Sequence, residues 1–92
     1  MDTEVKGNIR AFDVWKRNGM AGLVRYRCFE DITTGRFCVQ SADFYKSPVT
    51  IDRVSQLEMQ FIELLLEESP FLRSGSFDTV EEAIAEHDKS FE

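Results

Sequence analysis

A chain of 92 residues that is 42% hydrophobic, with eight Phe, one Trp and two Tyr, can build one small core, which excludes a multidomain or a globally disordered protein. Its net charge of −6 is uneven: residues 1–48 sum to +2 and residues 49–92 to −8. That balance disfavours non-specific binding to nucleic acid and leaves room for a local basic face or for electrostatic pairing between copies.

Residues 1–92 therefore read as a single small globular domain. No signal-peptide core and no apolar run of membrane-spanning length is present, so the cytoplasm is the expected location and no membrane partner is expected. Cys28 and Cys38 are too few for a disulfide scaffold and lack CxxC spacing, and they read as free buried thiols.

In chain order, residues 1–10 are polar and carry the turn signal Gly7-Asn8, which predicts an irregular N-terminal arm. Alternation in AFDVWKR predicts a first strand over 11–17, and Asn18-Gly19 predicts a tight turn directly into the second. The stretch 24–44 has the pattern of a β-hairpin whose loop, DITTG, closes on Gly35 in the left-handed region. If Glu30 faces Arg36, then Phe29 faces Phe37, Cys28 faces Cys38 and Arg27 faces Val39. Pro48 ends the extended run. Thr50 is placed to cap a helix over about 51–68, with Val54, Leu57, Phe61, Leu64 and Leu65 on its inner stripe and Ser55, Glu58, Glu63 and Glu67 on the other side. Met59, Ile62 and Leu66 widen that stripe, so the helix needs cover on more than one side. FLRSGS reads as a loop. Asp78 and Glu81 suggest a capping box for a last helix over about 79–90, with Phe91 closing its end. The expected fold is thus α+β, a three-stranded antiparallel meander followed by two helices packed on one face of the sheet (β-β-β-α-α).

No catalytic, metal or cofactor motif is present. His87 has no second His or Cys at metal spacing and no adjacent nucleophile, the carboxylates lack calcium-loop spacing, and neither cysteine has a base beside it. TGRFCVQ lacks the aromatic-small-Phe-Val run of RNA-recognition domains. The informative feature is the division of the sheet. Phe12, Val14, Val24, Tyr26, Cys28, Cys38, Ala42 and Phe44 should face the helices, leaving Trp15, Arg17, Arg25, Arg27, Phe29, Phe37 and Val39 on an outer face. Aromatics interleaved with arginines suit protein anchors and also single-stranded nucleic-acid platforms. With few arginines on an acidic domain, the expectation is a small non-catalytic protein-interaction or regulatory domain. It would bind another protein or a second copy of itself through that face. Single-stranded nucleic-acid binding by the same face is the alternative, which the net charge disfavours.

Overall fold

In the computed structural model, which describes residues 7–90, two glycine-bearing turns fold the first half of the chain into one antiparallel sheet. Strand β1 (Ile9–Asn18) pairs with β2 (Gly22–Asp31), and β2 with β3 (Arg36–Lys46). Gly19 and Gly35 have φ of 73° and 71°, a region that costs any residue with a Cβ, so each turn is set by its glycine. The strand β1 begins earlier than the sequence pattern predicts: Ile9 and Arg10 are already paired, opposite Asp31 and Glu30. The remainder of the predicted arm, residues 1–6, lies outside the described residues, as does Phe91.

The β2–β3 register corrects the expected one. Asp31 joins the strand because its carboxylate accepts the backbone N–H of Thr33 at 2.9 Å and of Thr34 at 3.3 Å, which shortens the loop to four residues and makes Asp31–Arg36 the closing pair. All pairs up to Cys28 slip by one, so Cys28 faces Val39 and Phe29 faces Cys38. The two thiols therefore lie on opposite faces of the sheet and not side by side. A bulge between Arg27 and Cys28 leaves Gln40 as an extra residue on β3. Beyond it the slip totals two residues, and the side chains regain their expected faces: Arg27 lies opposite Ser41 and Tyr26 opposite Ala42.

Helix α1 (Ile51–Glu67) starts where expected, with the Thr50 hydroxyl accepting the Arg53 N–H at 3.2 Å. The segment read as a loop holds a one-turn helix, α2 (Pro70–Ser74). Ser69 caps it, accepting the Phe71 N–H at 3.2 Å, and Pro70 occupies its first turn, where a missing N–H costs nothing. Phe77 then forms a two-bond bridge to Phe37, N···O 2.8 and 2.9 Å, at the β3 edge. Helix α3 (Val80–Ser90) is capped by Thr79 and not by Asp78: the Thr79 hydroxyl accepts the Glu82 N–H at 3.1 Å, while Asp78 pairs with Arg36 at 2.5 Å. Among the described residues no helix is long and apolar enough to cross a membrane.

The α+β class and the order of three meandering strands followed by helices are as expected. The helical cover, however, is divided between the faces. On the even-numbered face of β1 and β2, α3 packs Val80, Ala83 and Ile84 against Val24, Tyr26, Cys28 and Val39. On the odd face, α1 sets Phe61 flat on Phe29, with ring centroids 5.7 Å apart and planes 7° from parallel. One helix per face explains how so short a chain buries both sides of its central strand.

Candidate functional site

The seven residues of the predicted outer face separate into three groups. Trp15 and Arg17 are exposed on β1, with Trp15 at 51%. Arg25, Arg27 and Phe29 share that face but lie under α1: Arg27 is 2% exposed and Phe29 1%, while Arg25 is half-buried. Phe37 and Val39 are on the opposite face, turned over by the one-residue slip that precedes the bulge. Phe37 stacks edge-on against Phe12 at 6.1 Å, and Val39 is buried in the core beneath α3. An interleaved row of accessible arginines and aromatics is therefore not assembled.

The arginines of this face are committed within the chain. Arg27 Nε donates to Asp43 Oδ2 at 2.8 Å, its Nη2 lies 2.7 Å from Glu58 Oε1, and its guanidinium stacks over Phe61 at 4.7 Å. Burial alone would lower its pKa, but the bonds to Asp43 and Glu58 outweigh that and hold the guanidinium charged. Arg25 is raised chiefly by its 2.8 Å bond to Asp13, and it lies 3.5 Å from Glu58 and 5.2 Å above the Trp15 ring. Trp15 in turn packs against Tyr45 at 5.7 Å. Glu58, expected on the solvent side of its helix, is thus the hinge by which α1 grips β2.

That grip turns a different surface outward. At 100° per residue, Ile51, Ser55, Met59, Ile62 and Leu66 fall within about 80° of one another on α1, beside the stripe that carries Leu57 and Phe61. Ile51 is 81% exposed, Met59 62%, Ile62 51% and Leu66 76%. Since α3 is on the other face of the sheet, nothing in residues 7–90 covers this second stripe. Four large apolar side chains thus lie in register on one exposed helix face, a contiguous patch and not singly scattered exposure. The signal was present in the sequence, where Met59, Ile62 and Leu66 widened the apolar arc. Which helix would leave them uncovered was not.

The remaining chemistry is sparse. A groove of about 710 Å³ runs past the end of α3, floored by Val24, Tyr26 and Ala42 and edged by Lys16, Gln60 and Asp88. The Tyr26 hydroxyl already donates to Asp88 at 3.0 Å, and His87, whose pKa is lowered by burial, stands edge-on to the Tyr26 ring at 6.0 Å. No group of three His, Cys, Asp or Glu that could hold a metal ion occurs among the described residues.

Both thiols are buried, and burial pushes each up to about 12. Two outcomes are expected. At pH 8 the native protein should react with iodoacetamide at neither cysteine, and both should react once it is unfolded in urea. Because the folded pKa lies above the usual 9, the unfolded chain loses these protons first as pH rises; stability is complete below pH 9 and should fall between 9 and about 12. Rapid alkylation of the native protein would contradict this placement of the thiols. No protein-family model, curated protein or solved structure matches the chain.

Proposed function

We propose that this is a small non-catalytic interaction domain that works in the cytoplasm by docking another protein on the odd side of the molecule, where the outer stripe of α1 and the exposed Trp15 lie. The observation that carries this reading is the stripe itself: Ile51, Met59, Ile62 and Leu66 are each more than half exposed on one helix face, a composition that costs solubility unless a partner covers it. Thiols held protonated by burial are poor nucleophiles, which favours binding over covalent chemistry, and free buried thiols suit a reducing compartment. The nucleic-acid alternative loses its support because Arg25 and Arg27 are neutralised by Asp13, Asp43 and Glu58 and have no charge left for phosphates.

Site-specific photocross-linking in cells tests the reading. A benzophenone amino acid at Met59 should give a discrete adduct that disappears in Ile62→Ser/Leu66→Ser, whereas the same probe at Glu81, exposed on α3, should give none. Equal labelling from both positions, or no adduct from Met59, refutes it.

A further inference from the structure

Resting on that interaction reading, we infer that the partner which covers α1 is a cationic amphipathic helix, with apolar side chains on one face and Lys or Arg beside them. The apolar stripe is bordered along one side by Asp52, Glu63 and Glu67, which fall at about 100–160° on the helix when Ile51 is set at zero. Asp52 and Glu63 have no cationic partner among the described residues. On the other border Glu58 is already bound to Arg25 and Arg27. The stripe is therefore hydrophobic at its centre and anionic at its free edge.

The same bookkeeping of ion pairs argues against a second copy as occupant. Arg10, Arg25, Arg27, Arg36 and Arg73 are engaged by carboxylates of their own chain, and the cations that form no ion pair among the described residues, Lys16, Arg17, Lys46, Arg53 and Lys89, all lie off the α1 stripe and its acidic border, so a second α1 brings no cation to that edge. Two α1 stripes packed antiparallel about a twofold axis bring the same border of each helix together, acid on acid; packed parallel, the acidic border meets the Glu58 border. The antiparallel arrangement places like charges in contact, which selects against it, and the parallel one offers the acidic border only a Glu58 already bound to Arg25 and Arg27, which supplies no attraction. A heterologous helix carrying positive flanks meets neither obstacle.

The geometry also favours a helix over an extended strand. Through Glu58 and Phe61, α1 lies on β2 and β3, and the odd face of β1 stays open at Ala11 and Trp15. Packed helices sit about 8–10 Å apart, close to the width of two strand spacings of about 4.8 Å, so a second helix laid beside α1 rests on β1. From Ile51 to Leu66 the stripe is about 22 Å long, which a partner of about 15 helical residues spans. This is helix-in-groove recognition with three or four apolar anchors.

The probe is a fluorescein-labelled synthetic 18-residue helix of leucines at the a and d heptad positions and lysines elsewhere, compared by anisotropy with the same leucine frame carrying glutamates. The Leu/Lys peptide should bind at least tenfold more tightly than the Leu/Glu peptide and weaken between 50 and 500 mM salt. Ile62→Ser/Leu66→Ser should lose at least tenfold for it, and Asp52→Lys/Glu63→Lys should weaken it and improve the Leu/Glu peptide. Glu81→Lys, on the other face, should change nothing. All substituted positions are at the surface, and circular dichroism verifies that each variant folds. Equal binding of both peptides, or indifference to Asp52→Lys/Glu63→Lys, overturns the cationic partner but leaves the stripe as a docking surface. Binding unaffected by Ile62→Ser/Leu66→Ser overturns both. A stable dimer by light scattering that Leu66→Ser dissolves makes the occupant a second copy and overturns this assignment.

Discussion

Arg27→Ala is expected to destabilise the domain by about 3–5 kcal/mol, the range for removing one partner of a buried ion pair. A 92-residue domain has a total stability of about 5–14 kcal/mol, so the variant should be marginal or unfolded at room temperature. The reason lies less in the attraction lost than in what is left behind. Asp43, with its side chain 8% exposed, would keep a buried carboxylate with no cation, and Phe61 would lose the guanidinium stacked on it. Glu58 is 47% exposed and can turn to water, so its release costs little. This separates two effects. Arg27→Met/Asp43→Leu, which removes both buried charges and keeps their volume, should recover most of the loss, because a buried pair need not be favourable relative to apolar residues of the same shape. Urea unfolding of Arg27→Met, Asp43→Leu and the double variant makes a thermodynamic cycle. A loss below about 1 kcal/mol for Arg27→Ala would mean that Arg27 does not lie beneath α1.

The parts of this fold that could be read from the sequence are those fixed by neighbours in the chain. Gly19 and Gly35 mark both turns because only glycine takes those φ values cheaply, and Thr50 marks the start of α1 because its hydroxyl is the one acceptor in position for the Arg53 N–H. The inner stripe of α1 was equally legible, since a 3.6-residue period needs no knowledge of the partner. What failed depended on a one-residue choice. Asp31 served the turn as an acceptor and so entered the strand, and that single decision carried Phe37 and Val39 to the opposite face. Gln40 then bulged and reversed the error, and nothing local to Gln40 announces it. The placement of α1 on the odd face was illegible for another reason. The sheet has apolar residues on both sides, and the pattern alone does not say which helix takes which side. Only Glu58, pointing toward buried Arg27 and half-buried Arg25, records the answer, and a glutamate in a helix reads as solvent-facing until those arginines are known to be beneath it. Hence Arg27 and Phe29 looked like a binding face and are in fact the seat of α1.

Phe29→Ala should also cost about 3–5 kcal/mol, the range for emptying a fully buried phenylalanine site. Phe29 is 1% exposed, faces Cys38 across the strand pair and stacks parallel to Phe61, with ring centroids 5.7 Å apart. Phe61 is only partly buried, so Phe61→Ala should cost less, about 1–3 kcal/mol, although it removes the same aromatic contact. The asymmetry is the useful quantity, because it follows from the layering: Phe29 is enclosed by sheet and helix, whereas Phe61 has solvent on one side. Native-state hydrogen exchange should then show, in either variant, that α1 loses protection before β1–β3 and α3 do, since α1 is held to the odd face mainly through Phe61, Leu57 and the Glu58 ion pairs. Loss of protection in α3 first would place Phe29 in the other layer. Equal costs for the two variants would mean that both rings are equally enclosed and that Phe61 has no solvent on one side.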